Sequence, residues 1–244
     1  MKNYIVTMMI ILLTACGGDS GDKSVTVTEE TPPTPEVTFA ASGLYIESES
    51  GVVMVIDTKR NAEPIVGLDI LNKEIFKVLS VKDESGQLNG VGMFVHNFDD
   101  ASKVVNDASQ LSTTIYDKDG ANITATVNDK FFVYDLDRAE DSKELTELAG
   151  NYINGIGSDL TIDADGNFTV NWSDSCVLEG KFNHKGYYYD TKNSVFSNCF
   201  GTEENMNGND YVVIMATANL QGADYIVSAF QNTSNIGYSV FPMK

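Results

Sequence analysis

"SGLYIESESGVVMVID", residues 42–57, is echoed by "AGNYINGIGSDLTID", residues 149–163. In each, a Gly-x-Tyr start leads, after nearly the same number of residues, to an Ile-Asp pair that precedes a turn: Ile56-Asp57 in the first, Ile162-Asp163 in the second. A repeat of this kind implies that one structural unit occurs twice, and the residues between the landmarks say which kind of unit it is.

Working outward, the chain is a succession of short β-branched and aromatic runs. VVMVID (52–57), VGMFVHNF (91–98), ITATV (123–127), KFFVYDL (130–136), NFTVNW (167–172), YVVIMATA (211–218) and YIVSAF (225–230) all read as strands. Asp83-Glu84-Ser85-Gly86, Asp117-Lys118-Asp119-Gly120 and Asp163-Ala164-Asp165-Gly166-Asn167 fall between such runs, and Asp before Gly suits tight hairpins. Two segments break the pattern. Asp99 to Ala108 reads as a short helix or a long loop. Asp141 to Gly150 reads as a helix, with Asp141 or Ser142 as cap, Leu145, Leu148 and Ala149 on one face and Gly150 as a left-handed stop.

The expected fold class is therefore all-β: two tandem antiparallel β-meander units, small barrels or sandwiches of seven or eight strands each, joined by a short helix. The first unit spans 39–140, the helical connector 141–149 and the second unit 150–244. Because the connector is mostly polar, few contacts are expected to cross the boundary, and each unit is expected to fold separately.

Upstream, Met1-Lys2, an apolar stretch from Tyr4 to Leu13 and small residues at Ala15, Cys16, Gly17 and Gly18 form the n-region, h-region and cleavage zone of an export signal. The apolar run is roughly half the length needed to span a bilayer as a helix. Leu13-Thr14-Ala15-Cys16 resembles the lipobox of bacterial lipoproteins. That resemblance implies a signal peptide at 1–15, acylation of Cys16, for example with palmitate, and, with Gly rather than Asp after the Cys, an outer-membrane location on the periplasmic face or the cell surface. Gly18-Asp19-Ser20-Gly21 matches the tetrapeptide around a serine-protease nucleophile, but no apolar residue lies between Gly17 and Lys23 to build a pocket around Ser20. Residues 16–38 are rich in Gly, Ser, Thr, Glu and Pro, a composition that cannot bury enough surface to offset its ordering entropy, and read as a disordered tether.

Removing residues 1–15 takes away only Lys2, which leaves 15 basic against 35 acidic residues, a net −20. The sequence shows no basic run, and this balance opposes binding to nucleic acid or to anionic head groups. Cys176 and Cys199, with 22 residues between them, are the remaining cysteines, and in an oxidising compartment they are expected to form a disulfide. A redox or metal-binding pair is the alternative, without the CxxC spacing that would favour it.

Chemical motifs are sparse. The DxDG turns resemble the start of a calcium loop, but Gly166 comes at the fourth position and no Glu follows at the twelfth. His96 and His184 are the only histidines, and neither has a second His or a Cys at ligand spacing. No metal site, catalytic residue or cofactor is expected, and no ligand-binding residue is assigned. Tyr187, Tyr188 and Tyr189 with Trp172 could line a carbohydrate or apolar-ligand surface, or pack alternately inward.

The Gly-x-Tyr starts, the Leu-Ala-Gly connector and the cysteine-containing second half together resemble a loosely defined group of proteobacterial outer-membrane lipoproteins with duplicated β-domains and no assigned activity. The resemblance implies fold and surroundings only. The function expected is that of a non-enzymatic binding or scaffolding module in the cell envelope, with the membrane reached through the lipid anchor and an envelope protein or small apolar ligand as partner. A barrel that carries a small apolar ligand is the alternative, and a carboxylate-dependent hydrolase a more distant one.

Overall fold

Successive side chains of a strand point to opposite faces, so a run such as VVMVI, apolar at every position, must be covered on both sides. The computed structural model describes residues 41–244 except 85–86, 117–118, 128, 174 and 244. The signal peptide at 1–15, Cys16 and the tether at 16–38 lie outside the described residues. Eight antiparallel strands form the first unit: β1 (Gly43–Glu47), β2 (Val52–Ile56), β3 (Ile65–Asp69), β4 (Glu74–Glu84), β5 (Gln87–Asn97), β6 (Lys103–Tyr116), β7 (Gly120–Val127) and β8 (Lys130–Arg138). They pair in sequence order, and β1 returns to β8 with Tyr45 opposite Arg138, which closes a barrel.

After one helical turn, α1 (Leu145–Leu148), the second unit comprises β9 (Gly150–Ile153), β10 (Asp159–Ile162), β11 (Asn167–Asn171), β12 (Val177–Lys181), β13 (Asn183–His184), β14 (Tyr189–Asp190), β15 (Ser194–Ser197), β16 (Gly208–Leu220), β17 (Ala223–Gln231) and β18 (Ile236–Pro242). This sheet also meanders, with β14 and β15 pairing successive stretches of β16. β18 comes back beside β9 without a hydrogen-bonded ladder, so the second sheet is barrel-like but unclosed.

The repeat in the sequence is a repeat of register. Gly43 faces Ile56 and Tyr45 faces Met54 in the first unit, while Gly150 faces Ile162 and Tyr152 faces Leu160 in the second. Asp57 and Asp163 then open their turns alike, each accepting the N–H two residues ahead, from Lys59 at 3.0 Å and Asp165 at 2.9 Å.

Three apolar clusters hold the chain. Val52, Met54 and Ile56 point into the barrel with Phe76, Leu88, Met93, Phe132 and Leu136, and fill it. Gly67 lies opposite Phe76, and a Cβ there would sit 2.0 Å from the ring, so glycine is what admits the phenyl group. Tyr211, Val213 and Met215 of β16 point into the second core, where Trp172 packs edge-on against Phe230 at 5.1 Å. The third cluster joins the units. Val53, Val55, Val66, Leu68 and Ile75 from the outer wall of the barrel meet Ile214, Ala216, Ala218, Leu220 and Val227 from the second sheet. Fully burying a side chain of this size contributes roughly 1.5–3 kcal/mol.

That third cluster corrects the expectation that few contacts cross the boundary: the polar connector is not the interface, because the outward faces of β2, β3 and β16 carry it. The connecting helix is also reduced to a single turn. Glu144, not Asp141 or Ser142, precedes it, and Ala149 is extended, so that Gly150 starts β9 instead of stopping a helix. The cause is competition for hydrogen bonds. The Ser142 hydroxyl donates to the Tyr187 carbonyl at 2.9 Å and accepts from the Thr217 N–H at 3.1 Å, and the Lys143 N–H donates to the Thr217 hydroxyl at 3.1 Å. Asp99 to Ala108 is neither helix nor long loop, since β6 already begins at Lys103.

Cys176, just before β12, and Cys199, just after β15, form a disulfide with Cα atoms 4.0 Å apart. It ties two adjacent strands, Val177 lying opposite Ser197, and both sulfurs lie within the second core.

Candidate functional site

The turn from β2 to β3 is wound tightly by its own backbone. The Asp57 N–H donates to the Pro64 carbonyl at 2.7 Å and the Arg60 N–H to the Asp57 carbonyl at 3.1 Å. This presents Lys59, Arg60 and Asn61 on one side of a cleft of about 860 Å³ at the seam between the units. The second unit supplies the other side with Lys185, Tyr187, Tyr188, Asp190 and Lys192, a volume in the range of small-molecule sites.

The tyrosines reach across the seam. The Tyr187 hydroxyl donates to the Ile56 carbonyl at 2.8 Å, and that of Tyr188 to the Asp57 carboxylate at 2.8 Å. Burial, reinforced by the neighbouring Asp57, pushes both phenols well above their ordinary pKa, so they are fixed donors at any physiological pH. Tyr189 turns the other way, into the second core, and its hydroxyl donates to the Lys143 carbonyl at 2.8 Å. The three tyrosines therefore divide: Tyr187 and Tyr188 line the cleft and clamp the units together, and Tyr189 packs inside. Beside the cleft, the buried Lys77 ammonium pairs with Glu63 at 3.0 Å and also donates to Gln231 of the second unit. Burial lowers the Lys77 pKa, and the Glu63 carboxylate opposes that shift.

Charge is unevenly spread. Lys59, Arg60, Lys185 and Lys192, four of the sixteen Lys and Arg of the chain, line this one cleft beside two carboxylates, Asp57 and Asp190. The Lys185 ammonium stands 3.5 Å from Asp190 Oδ2. Two buried atoms here have no hydrogen-bond partner among the described residues: Arg60 Nη1 and Asp190 Oδ1. The sequence showed no basic run because these cations come from two segments more than a hundred residues apart in the chain. The adjacent Lys59-Arg60 pair in a turn was the one local sign.

The remaining candidates have structural places. Asp163 Oδ1 accepts from the N–H groups of Asp165 at 2.9 Å and Asn167 at 2.8 Å, and Gly166 is left-handed at φ +83°, so this DxDG segment is a hairpin turn. Part of the turn at 117–120 lies outside the described residues. His96 is buried, with Nδ1 3.1 Å from the Ser102 carbonyl, and its pKa is lowered chiefly by burial. His184 is exposed and stacks on Tyr189. Among the described residues no three His, Cys, Asp or Glu side chains gather to hold a metal ion, and no helix is long and apolar enough to cross a membrane.

Comparison with family models, with curated proteins and with solved structures finds no match to this chain.

Proposed function

We propose that this chain is an outer-membrane lipoprotein, attached through an acylated Cys16, whose two β units act together as a non-enzymatic binding or scaffolding module of the cell envelope. The observation that carries the module reading is the seam. An apolar cluster, two tyrosine clamps and the Lys77–Glu63–Gln231 network weld the units into one body and leave a polar cleft between them. Side chains fill the barrel interior, which favours a binding surface over an apolar-ligand carrier. The attachment rests on the residues of the lipobox, Leu13-Thr14-Ala15-Cys16.

Metabolic labelling with a fatty acid tests the attachment: wild-type protein takes up label and the Cys16→Ser variant does not. Unlabelled wild type overturns the anchor and the location that depends on it. Cross-linking in intact cells followed by pull-down tests the module, and a reproducible envelope partner lost on mutation of seam-proximal surface residues is the expected result.

A further inference from the structure

We propose that the cleft at the seam binds a hydroxylated organic anion of the sugar-acid type, its carboxylate on Arg60 and a hydroxyl on Asp190. A guanidinium carries donors only, so a group that meets Arg60 from the cleft must be an acceptor. In a partly buried site flanked by Lys59, Lys185 and Lys192, a charged acceptor is the stronger one. Asp190 lines the same cleft with the opposite requirement: a carboxylate accepts only, so a group that meets it must be a donor. A simple anion suits the first residue and not the second, and a neutral sugar the reverse. A ligand with both a carboxylate and hydroxyl groups satisfies both.

The cleft is suited to such a ligand in other respects. Tyr187, half-buried, gives one wall an aromatic surface while its hydroxyl is already committed to Ile56. Tyr188 lines the cleft along with Arg60 and Asp190, its hydroxyl committed to Asp57. Asn61 and Asn193 at the rim add neutral donors and acceptors for further hydroxyls. The local excess of cations also concentrates an anion against the repulsion of a chain that is net −19.

The proposal deepens the binding-module reading and rests on it, but its assay does not depend on the anchor. Titration calorimetry on the intact protein, at low ionic strength, compares glucuronate and trigalacturonate with glucose and acetate. The expected result is binding of one or both sugar acids, with glucose and acetate weaker by roughly tenfold or more. A response to glucuronate identifies a free sugar acid as sufficient, and a response to trigalacturonate alone identifies a chain of such units. Arg60→Gln should weaken the sugar acids by roughly tenfold, and Asp190→Asn, which also removes a negative charge from the cleft, should narrow the preference for the sugar acids over acetate. Lys192, exposed at the rim, gives a variant that does not threaten the fold, and Lys192→Gln should reduce affinity and its salt dependence. No heat with either acid, equal binding of acetate or glucose, or sugar-acid binding indifferent to both Arg60→Gln and Lys192→Gln overturns the proposal. Sugar-acid binding by a protein that takes up no fatty acid overturns the anchor alone.

Discussion

Tyr45 and Tyr152 make the same hydrogen bond: each phenol donates to the carbonyl four residues earlier, Ala41 at 2.9 Å and Leu148 at 2.9 Å. Each bond folds the approach to a unit back onto its first strand, and each tyrosine belongs to the core of its own unit. Removing either hydroxyl leaves a backbone carbonyl short of a partner. Tyr45→Phe should cost about 1–2 kcal/mol in denaturant unfolding, and Tyr152→Phe, which is less deeply buried, about 1 kcal/mol. The tyrosines share no partner, so the double variant should show the sum to within about 0.5 kcal/mol.

Separating the halves should expose the seam. Residues 39–140 and 150–244 expressed alone would each present an apolar wall, Val53, Val55, Val66 and Leu68 on one and Ile214, Ala216 and Val227 on the other. Each half should bind a hydrophobic dye and self-associate, and mixing the two should abolish the dye signal and raise the melting temperature. Two monomeric halves that ignore each other would show the third cluster to be dispensable.

Reduction of Cys176–Cys199 should destabilise the protein by about 3 kcal/mol by the loop-closure argument for a loop of this length. The Cys176→Ala, Cys199→Ala variant measures it without reductant. The loss should appear as a lower denaturant midpoint. Residues 150–244 alone should suffer more than the intact chain, which has the seam as well.

Acidification should weaken the fold through His96. Burial holds its folded pKa below the ordinary 6.5, so as pH falls through 6.5 the unfolded chain takes up a proton that the folded chain refuses. The stabilising contribution is full above that pH and is lost below it. Melting temperatures measured from pH 7.5 to pH 5 should fall less steeply for His96→Asn than for wild type. The ring also sits edge-on to Phe98 at 4.4 Å, and Phe98 meets Tyr238 across the seam at 4.9 Å.

The sequence made the strands legible where side chains alternate or run apolar, and the landmarks Gly43, Tyr45, Gly150 and Tyr152 reported a register as well as a repeat. VVMVI and YVVIMATA carry a further signal. An unbroken apolar strand says that both faces are covered, and that was the signature of the seam. The first half of β6 does not read as a strand because Asn106, Asp107 and Ser109 are poor strand formers. The strand tolerates them at an irregularity in its pairing with β5, between Val91 and Met93. The clustering of Lys59 and Arg60 with Lys185 and Lys192 was not legible, because it depends on how two units dock and nothing local encodes that. Ser142 looked like a helix cap for a related reason: the same hydroxyl that could cap a turn found a carbonyl and an N–H on the second unit.

β1 has a mechanical consequence. It is gripped on both edges, by β2 along its whole length and by β8 at Tyr45 and Ile46, while Leu44 on its outer side is clamped by the third cluster. A pull delivered at residue 41 therefore meets the Tyr45–Ala41 hydrogen bond first and then two ladders loaded at once, instead of peeling a free edge. The second sheet, with β18 and β9 left unladdered, has no such grip at its own margin. Under tension applied from the N-terminal side, the strand nearest the load is fastened along both of its edges.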